Sequence, residues 1–234
     1  MRAAPVRLNS AITWLFLIGS ACFAVGTIPA YVDAVGTQVD AVTFFVGSIF
    51  FTSASFCQLV QSQSPAMTGV DRDGQHRRAP IRLFAWQPHD RAWLSAATQF
   101  PGTLFFNVST LVATVHNLTV AQTDRHVWRP DAFGSVLFLV SSTFAILALE
   151  HGFFDWRTRS LPWWIAWLNM LGSVFFMLSA IASFVLPSSG GVINEPVANT
   201  GTFLGAVCFF VAAGLLLPAW RGAVRSTTAT AQAG

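Results

Sequence analysis

The composition of this 234-residue chain is that of a membrane protein and excludes an ordinary soluble domain. Hydrophobic residues make up 53% of the chain and charged residues 10%, whereas soluble domains carry about 25% charged residues. The formal net charge of +3 rests on arginine, because the sequence contains no lysine, and this excludes lysine Schiff-base chemistry.

Six apolar runs follow one another along the chain, and each is long enough to cross a bilayer as a helix of about 17 to 25 residues. They predict transmembrane helices at residues 11–31, 42–62, 94–116, 132–149, 163–186 and 201–218. The first run, preceded by Arg2 and Arg7, also has the features of a secretory signal peptide. We expect it to be retained as a helix, because it shares a packing pattern with the other five.

That pattern is a glycine, a small residue directly after it, a phenylalanine four positions after the glycine and a second small residue seven positions after the glycine. The six glycines are Gly19, Gly47, Gly102, Gly134, Gly172 and Gly205. Offsets of four and seven return to nearly the same face of an α-helix. Small residues on one face let helix backbones approach closely in lipid, so these glycines are predicted to be helix-packing sites.

The spacing of the glycines groups the spans into three pairs. The sequence therefore predicts an all-α, polytopic integral membrane protein with six transmembrane helices arranged as three tandem helical hairpins, an internal repeat of a two-helix unit. The segments Phe44–Phe51 and Trp167–Phe176 resemble the short membrane hairpins of the YrhK-like family. The whole chain is similar to uncharacterised multi-pass membrane proteins of actinobacteria. Neither resemblance implies an established activity or a set of catalytic residues.

The distribution of arginine predicts the orientation of the chain in a bacterial plasma (inner) membrane. Only Arg125 and Arg129 lie on one side of the predicted spans, and all other arginines lie on the side of the two termini. Positively charged segments stay in the cytoplasm, so both termini are expected there, as is the loop 63–92. Residues 221–234 are expected to be a disordered tail. Arginines placed in this way indicate membrane orientation rather than nucleic-acid binding.

Signatures of catalysis and of metal binding are missing from the sequence. There is no Walker A loop, HExxH or GxSxG motif. Cys22, Cys57 and Cys208 lie in apolar runs, and an odd number without a CxxC motif disfavours a disulfide framework or a zinc site. A bis-histidine haem is disfavoured because His116 and His151 fall near opposite membrane surfaces. We therefore predict no catalytic residues and no metal site, and no cofactor is identified.

Polar residues within or at the ends of the predicted spans are the remaining candidates for a ligand site or a transport path, because lipid does not solvate them. The candidates are Gln58, Gln99, Asn107, Glu150, His151 and Asn169. Gln99 and Asn107 lie on the third span, where Pro101 removes a backbone donor. They could line a polar path or only bridge neighbouring helices by hydrogen bonds. Glu150 and His151 could relay protons or form an interfacial pair that meets water and nearby arginines.

Three classes of function follow from these observations. Self-association as a homo-oligomer is expected independently of the class. The first class is a non-enzymatic module that binds a lipid, a hydrophobic ligand or a membrane-protein partner. The second is a small transporter or channel with a polar path near the third helix. The third is a membrane enzyme, for which Glu150, His151 and Asp155 are the only acid–base groups. The scarcity of buried charge and the missing catalytic signatures favour the first.

Overall fold

The computed structural model describes residues 6–64, 82–154, 158 and 160–232, and this part of the chain is helical almost throughout. The α-helices are α1 (Val6–Gly26), α2 (Pro29–Val35), α3 (Thr37–Gln63), α4 (Arg91–Ala113), α5 (Val120–Thr123), α6 (Arg129–Leu147), α7 (Leu161–Ala182) and α8 (Glu195–Gln232). A π-helix, Asp124–Trp128, joins α5 to α6, and a 3₁₀ helix covers Gly152–Phe154. The predicted all-α fold class is confirmed.

Local sequence signals explain where several of these helices begin. Asp90 caps α4, since its carboxylate accepts hydrogen bonds from the backbone amides of Ala92 at 2.9 Å and Trp93 at 3.2 Å. Thr119 and Gln122 form a capping box at the start of α5. Pro29 lies in the first turn of α2, where a missing backbone N–H costs no hydrogen bond.

Three helix ends differ from the predicted spans. The first span, predicted at 11–31, ends at Gly26 because Pro29 starts the separate helix α2. The fourth, predicted at 132–149, belongs to a helical stretch that runs from Val120 to Leu147. Helix α8 continues to Gln232, through a segment for which the sequence predicted disorder.

Most of the predicted loop 63–92, residues 65–81, lies outside the described residues. The remainder packs against the end of α3 and the start of α4. The side-chain oxygen of Gln63 accepts a hydrogen bond from the Ala85 amide, and the rings of Trp86 and Trp93 lie 5.3 Å apart. Phe84 is 86% exposed.

Five helical stretches are long and apolar enough to cross a membrane, and they indicate a multi-pass membrane protein. They are Leu8–Gly26, Thr37–Gln63, Val120–Leu147, Leu161–Ala182 and Glu195–Gly222. Helix α4, which corresponds to the third predicted span, is not among them. Polar residues such as Gln99 and Asn107 and the helix-interior Pro101 lower its mean hydropathy.

The six long helices form a closed ring in the order α1, α3, α4, α6, α7, α8, and α8 packs back against α1. Neighbouring helices run antiparallel, so the chain ends α8 on the side where it begins α1; we call this side the termini end. Because lipid provides no hydrophobic drive for helix association, hydrogen bonds between side chains help to hold neighbouring helices together. They include Gln61–Asn9 at 2.6 Å, Ser48–Thr110 at 2.9 Å, Ser95–Ser141 at 3.2 Å, Ser142–Ser173 at 2.8 Å and Ser179–Thr202 at 2.7 Å.

The glycines of the repeated pattern lie where two helices approach most closely. A Cβ atom at Gly19 would lie 3.0 Å from the carbonyl oxygen of Gly47, and one at Gly134 would lie 3.1 Å from that of Gly102. A Cβ atom at Gly172 would lie 3.1 Å from the carbonyl oxygen of Gly205. These contacts pair α1 with α3, α4 with α6, and α7 with α8. The pairs coincide with the predicted hairpins, and their origin as an internal repeat stays a prediction.

The phenylalanines of the same pattern meet at the centre of the ring and form what we call the phenylalanine layer. Its members are Phe23, Phe51, Phe106, Phe138, Phe176 and Phe209, each 2–6% exposed. Ring centroids of contacting pairs lie 5.1–6.4 Å apart, mostly in edge-to-face geometry. The layer therefore closes the interior of the ring.

The outer faces of the long helices, unlike their packed inner faces, are covered with exposed apolar side chains. Large apolar side chains project away from the ring on every long helix, and among them Trp14 is 60% exposed, Leu111 50% and Phe133 58%. Exposing so large and continuous an apolar surface to water is unfavourable, whereas lipid solvates it. The inward small residues and outward large ones are thus the arrangement expected of helices packed in a bilayer.

The close glycine contacts predict that Gly172→Leu destabilises the ring. A Leu side chain would have to displace the Gly205 carbonyl and the ring of Phe209, whose Cε2 lies 3.1 Å from a Cβ built at this position. Overpacking of this kind costs about 1–3 kcal/mol. We expect a lower midpoint of thermal unfolding for the detergent-solubilised protein.

Gly214→Leu is the matched control, because a Cβ at Gly214 would meet no atom within 4 Å outside the adjacent backbone of its own helix. This variant should unfold at the temperature of the unmodified protein. Equal midpoints for Gly172→Leu and Gly214→Leu would contradict the packing role of the glycine.

Candidate functional site

Two cavities lie inside the ring, one on each side of the phenylalanine layer. Residues seven positions from each layer phenylalanine lie about 10 Å further along the helix axis and on nearly the same helix face. On the side of the termini end these residues are Phe16, Gln58, Gln99, Ala145, Asn169 and Leu216. All six line the first cavity, which has a volume of about 250 Å³.

We call this first cavity the amide cavity, because Gln58, Gln99 and Asn169 are its main polar groups. Ser95, Ser141 and Ser142 lie beside them, and the other lining residues are mostly apolar. The three amides come from α3, α4 and α7 and converge only because the ring closes. The structure thus brings together three of the candidates that the sequence predicted separately.

The three side-chain amides do not use all of their hydrogen-bond donors and acceptors within the protein. The side-chain nitrogen of Asn169 donates to the Ile165 carbonyl at 2.8 Å, within α7. Gln99 accepts a long hydrogen bond of 3.5 Å from the Ser141 hydroxyl. The side-chain oxygen of Gln58 is buried and has no hydrogen-bond partner. A buried acceptor without a partner carries a desolvation cost, which a ligand with a donor group would remove.

The amide cavity reaches the protein surface at the termini end, where the lining residues Ala92, Ala148 and Pro162 are exposed. No charged side chain is among its lining residues. The site can therefore offer neutral donors and acceptors next to apolar walls, and its lining holds no general acid or base.

The other candidates lie elsewhere. Glu150 and His151 are exposed beyond the end of α6 and do not line the amide cavity. Asn107 lines neither cavity, because it directly follows Phe106 and so points about 100° away from the inward face of α4. Its side-chain oxygen is buried without a hydrogen-bond partner. Asp155 lies outside the described residues.

The second cavity, on the far side of the layer, has a volume of about 340 Å³. We call it the carboxylate cavity, because Asp131 of α6 is its one acidic lining residue. The sequence analysis missed Asp131, since the span was predicted to start at residue 132. The signal that could have identified it is its position seven residues before Phe138 of the phenylalanine layer.

A distorted helical turn places Asp131 inside the ring. Pro130 has no backbone donor, and the turn before it is a π-helix in which the Arg129 amide bonds the carbonyl of Asp124. The Arg129 side chain also pairs with Asp124 at 2.8 Å. Arg129 is thus ion-paired with Asp124 rather than with Asp131. Separately, π turns of this kind are frequent at functional sites.

Comparisons with protein-family models, curated proteins and solved structures find no match for this chain. The resemblance to YrhK-like hairpins therefore stays a prediction. Among the described residues, no group of three or more His, Cys, Asp or Glu side chains could hold a metal ion.

The opening of the amide cavity at the termini end predicts that Ala145→Cys reacts with a water-soluble methanethiosulfonate reagent. The test uses protein in which Cys22, Cys57 and Cys208 are replaced by alanine. We expect complete labelling, measured as added mass, because a small polar reagent can enter a cavity that is open to water.

Ala206→Cys provides the matched control at the phenylalanine layer, since Ala206 is 0% exposed and packed in the core. It should stay unlabelled in the folded protein. The same labelling rate at both positions would show that the cavity is no more accessible than the packed centre.

Proposed function

We propose that this protein is a non-enzymatic plasma-membrane protein that binds a small, neutral, amphipathic molecule in the amide cavity. The observation that carries the proposal is the convergence of Gln58, Gln99 and Asn169 from three helices on one interior space. Side-chain amides both donate and accept hydrogen bonds, so together they can recognise a group such as another amide or a hydroxyl.

The lining supports a neutral ligand. A charged molecule would lose its hydration on entry and would meet no opposite charge there. The walls beside the amides are formed by apolar groups such as Phe16, Ile165 and Leu216. A ligand with one polar end and an apolar body would match both parts of the surface.

The volume narrows the choice further. Cavities for drug-sized ligands measure about 300–1,000 Å³, and the amide cavity, at about 250 Å³, lies below that range. Among the ligand classes considered from the sequence, a whole phospholipid is too large for this space. A compact hydrophobic or amphipathic molecule fits it better.

Orientation sets the side from which the ligand enters. We propose six spans with both termini in the cytoplasm, as the distribution of arginine predicts, with α4 completing the ring of five more apolar helices. The amide cavity then opens towards the cytoplasm, and its ligand is a cytoplasmic or inner-leaflet molecule.

Native mass spectrometry of protein extracted gently from its own membrane tests the proposal. We expect a bound small molecule on the unmodified protein and a loss of most of that added mass in Asn169→Leu. Leucine has nearly the shape of asparagine but no hydrogen-bonding group, so the cavity keeps its size and loses one of its amides.

Asn107→Leu is the control, since it removes the same group from a residue that lines neither cavity. This variant should retain the ligand. Equal loss in both variants, or a bare protein with an intact fold, would contradict binding in the amide cavity.

A small transporter or channel is the second candidate function. One observation favours it: rings of the phenylalanine layer line both cavities, Phe209 the amide cavity and Phe23, Phe106 and Phe176 the second one. In a transporter the rings would have to move apart to let a solute pass, as hydrophobic constrictions do in other pores.

Truncation of the layer tests this candidate. In liposomes, Phe138→Ala should raise the permeability to a small neutral solute such as glycerol, because Phe138 contacts three other rings of the layer. Phe133→Ala, which shortens a 58% exposed ring on the same helix, should leave the permeability unchanged. Folded Phe138→Ala protein that stays impermeable would count against a path through the ring.

A further inference from the structure

We infer that the carboxylate cavity is a binding site for a small organic cation, separate from the proposed ligand of the amide cavity. The cavity combines one carboxylate with several aromatic rings inside a space of about 340 Å³. This is the chemistry that recognises an alkylammonium group, by ion pairing and by cation–π contact.

The carboxylate of Asp131 lacks a counterion. Within the described part of the chain it makes no hydrogen bond or ion pair, and no arginine or histidine lines the cavity. The other polar residues of the lining are neutral, among them Thr123, Ser179 and Thr202. An ionised carboxylate held inside a helix bundle without an opposite charge is costly, and a cation would offset that cost. A bound organic cation would supply the missing charge.

Aromatic rings surround the remaining space. Phe23, Phe106 and Phe176 of the phenylalanine layer line it, together with Phe44 and Trp128. The ring of Trp128 is fixed in place, since its indole N–H donates to the Ala180 carbonyl at 2.7 Å and its ring centroid lies 4.8 Å from that of Phe184 in edge-to-face geometry. Aromatic rings attract a positive charge on a quaternary nitrogen, which cannot itself donate hydrogen bonds.

A second polar group is also unpartnered in this cavity. Ser135, one turn further along α6, is 1% exposed, and its hydroxyl oxygen has no hydrogen-bond partner. Ser135 lines the same cavity as Asp131. A hydroxyl or polar group on the organic cation would complete the hydrogen bonding of this serine.

The cavity has a route to the surface. Its lining includes the exposed residues Val192 and Asn199, at the end of the ring opposite to the termini. The segment between α7 and α8 contributes Val185 and Val192 to the lining, and an antiparallel bridge joins these two residues. A soluble cation could enter from that side without passing the phenylalanine layer.

Choline is the probe, and 3,3-dimethylbutan-1-ol, in which carbon replaces the charged nitrogen, is its neutral counterpart. Binding is measured by isothermal titration calorimetry on the full chain in nanodiscs of phosphatidylglycerol, whose headgroup carries no ammonium group. We expect choline to bind in the millimolar range or tighter. The neutral analogue should bind at least about tenfold more weakly, because it lacks both the ion pair and the cation–π attraction.

Asp131→Asn keeps the shape of the residue and removes its charge, so it should abolish choline binding. Asp33→Asn removes an exposed carboxylate near the same end of the ring and should leave binding unchanged. A second variant, Phe44→Leu, should weaken choline without affecting the neutral analogue, and it keeps the test decisive if Asp131→Asn does not fold.

Absence of choline binding would overturn the inference, as would equal affinity for the neutral analogue or full binding to folded Asp131→Asn protein. If phosphatidylethanolamine in the nanodiscs blocks choline, the same site takes a lipid ammonium headgroup, and loss of that block in Asp131→Asn would confirm the ammonium site. These outcomes are independent of the amide cavity, because Asn169→Leu should bind choline normally.

Discussion

The packing of six phenylalanine rings at the centre of the helical ring is the constraint on which the rest of the structure depends. Lipid gives no hydrophobic drive for helix association, so close contact and hydrogen bonding must hold the helices together. Phe51 packs against Gly19 and Phe23 against Gly47, and the other two pairs repeat this arrangement. Glycine and phenylalanine therefore act as one unit, since a larger residue at the glycine would displace the ring.

The same packing fixes where chemistry can occur. Once each phenylalanine points to the centre, residues seven positions away lie about 10 Å above or below the layer, and most of them line a cavity. This register places Asn169 in one cavity and Asp131 in the other. Because the layer fills the space between them, each cavity has its own opening and its own polarity. The identity of a few side chains at two levels then decides what each cavity can bind.

The sequence predicts part of this arrangement directly. Apolar runs and the glycine pattern predict the all-α class, and polarity identifies Gln58, Gln99 and Asn169 as candidates. Ring closure is not predictable in this way, because all six helices carry one pattern and none specifies its neighbour. Polarity alone also identified Asn107 as a site candidate, although its position on α4 points its side chain away from the interior. Asp131 escaped prediction because it lies one residue before the span predicted at 132–149, whereas the helical stretch begins earlier and includes a π turn before Pro130.

Helix α4 connects the stability of the ring to its function. It is the least apolar of the six, yet many of its polar groups find partners on adjacent helices, as Ser95 does with Ser141 and Thr110 with Ser48. Gln99 instead faces the amide cavity. A fully apolar α4 would cross the membrane more readily. It would, however, lose both of these interhelical hydrogen bonds and the Gln99 side chain that lines the amide cavity. The polarity that makes α4 marginal as an isolated span is thus what its position in the ring requires.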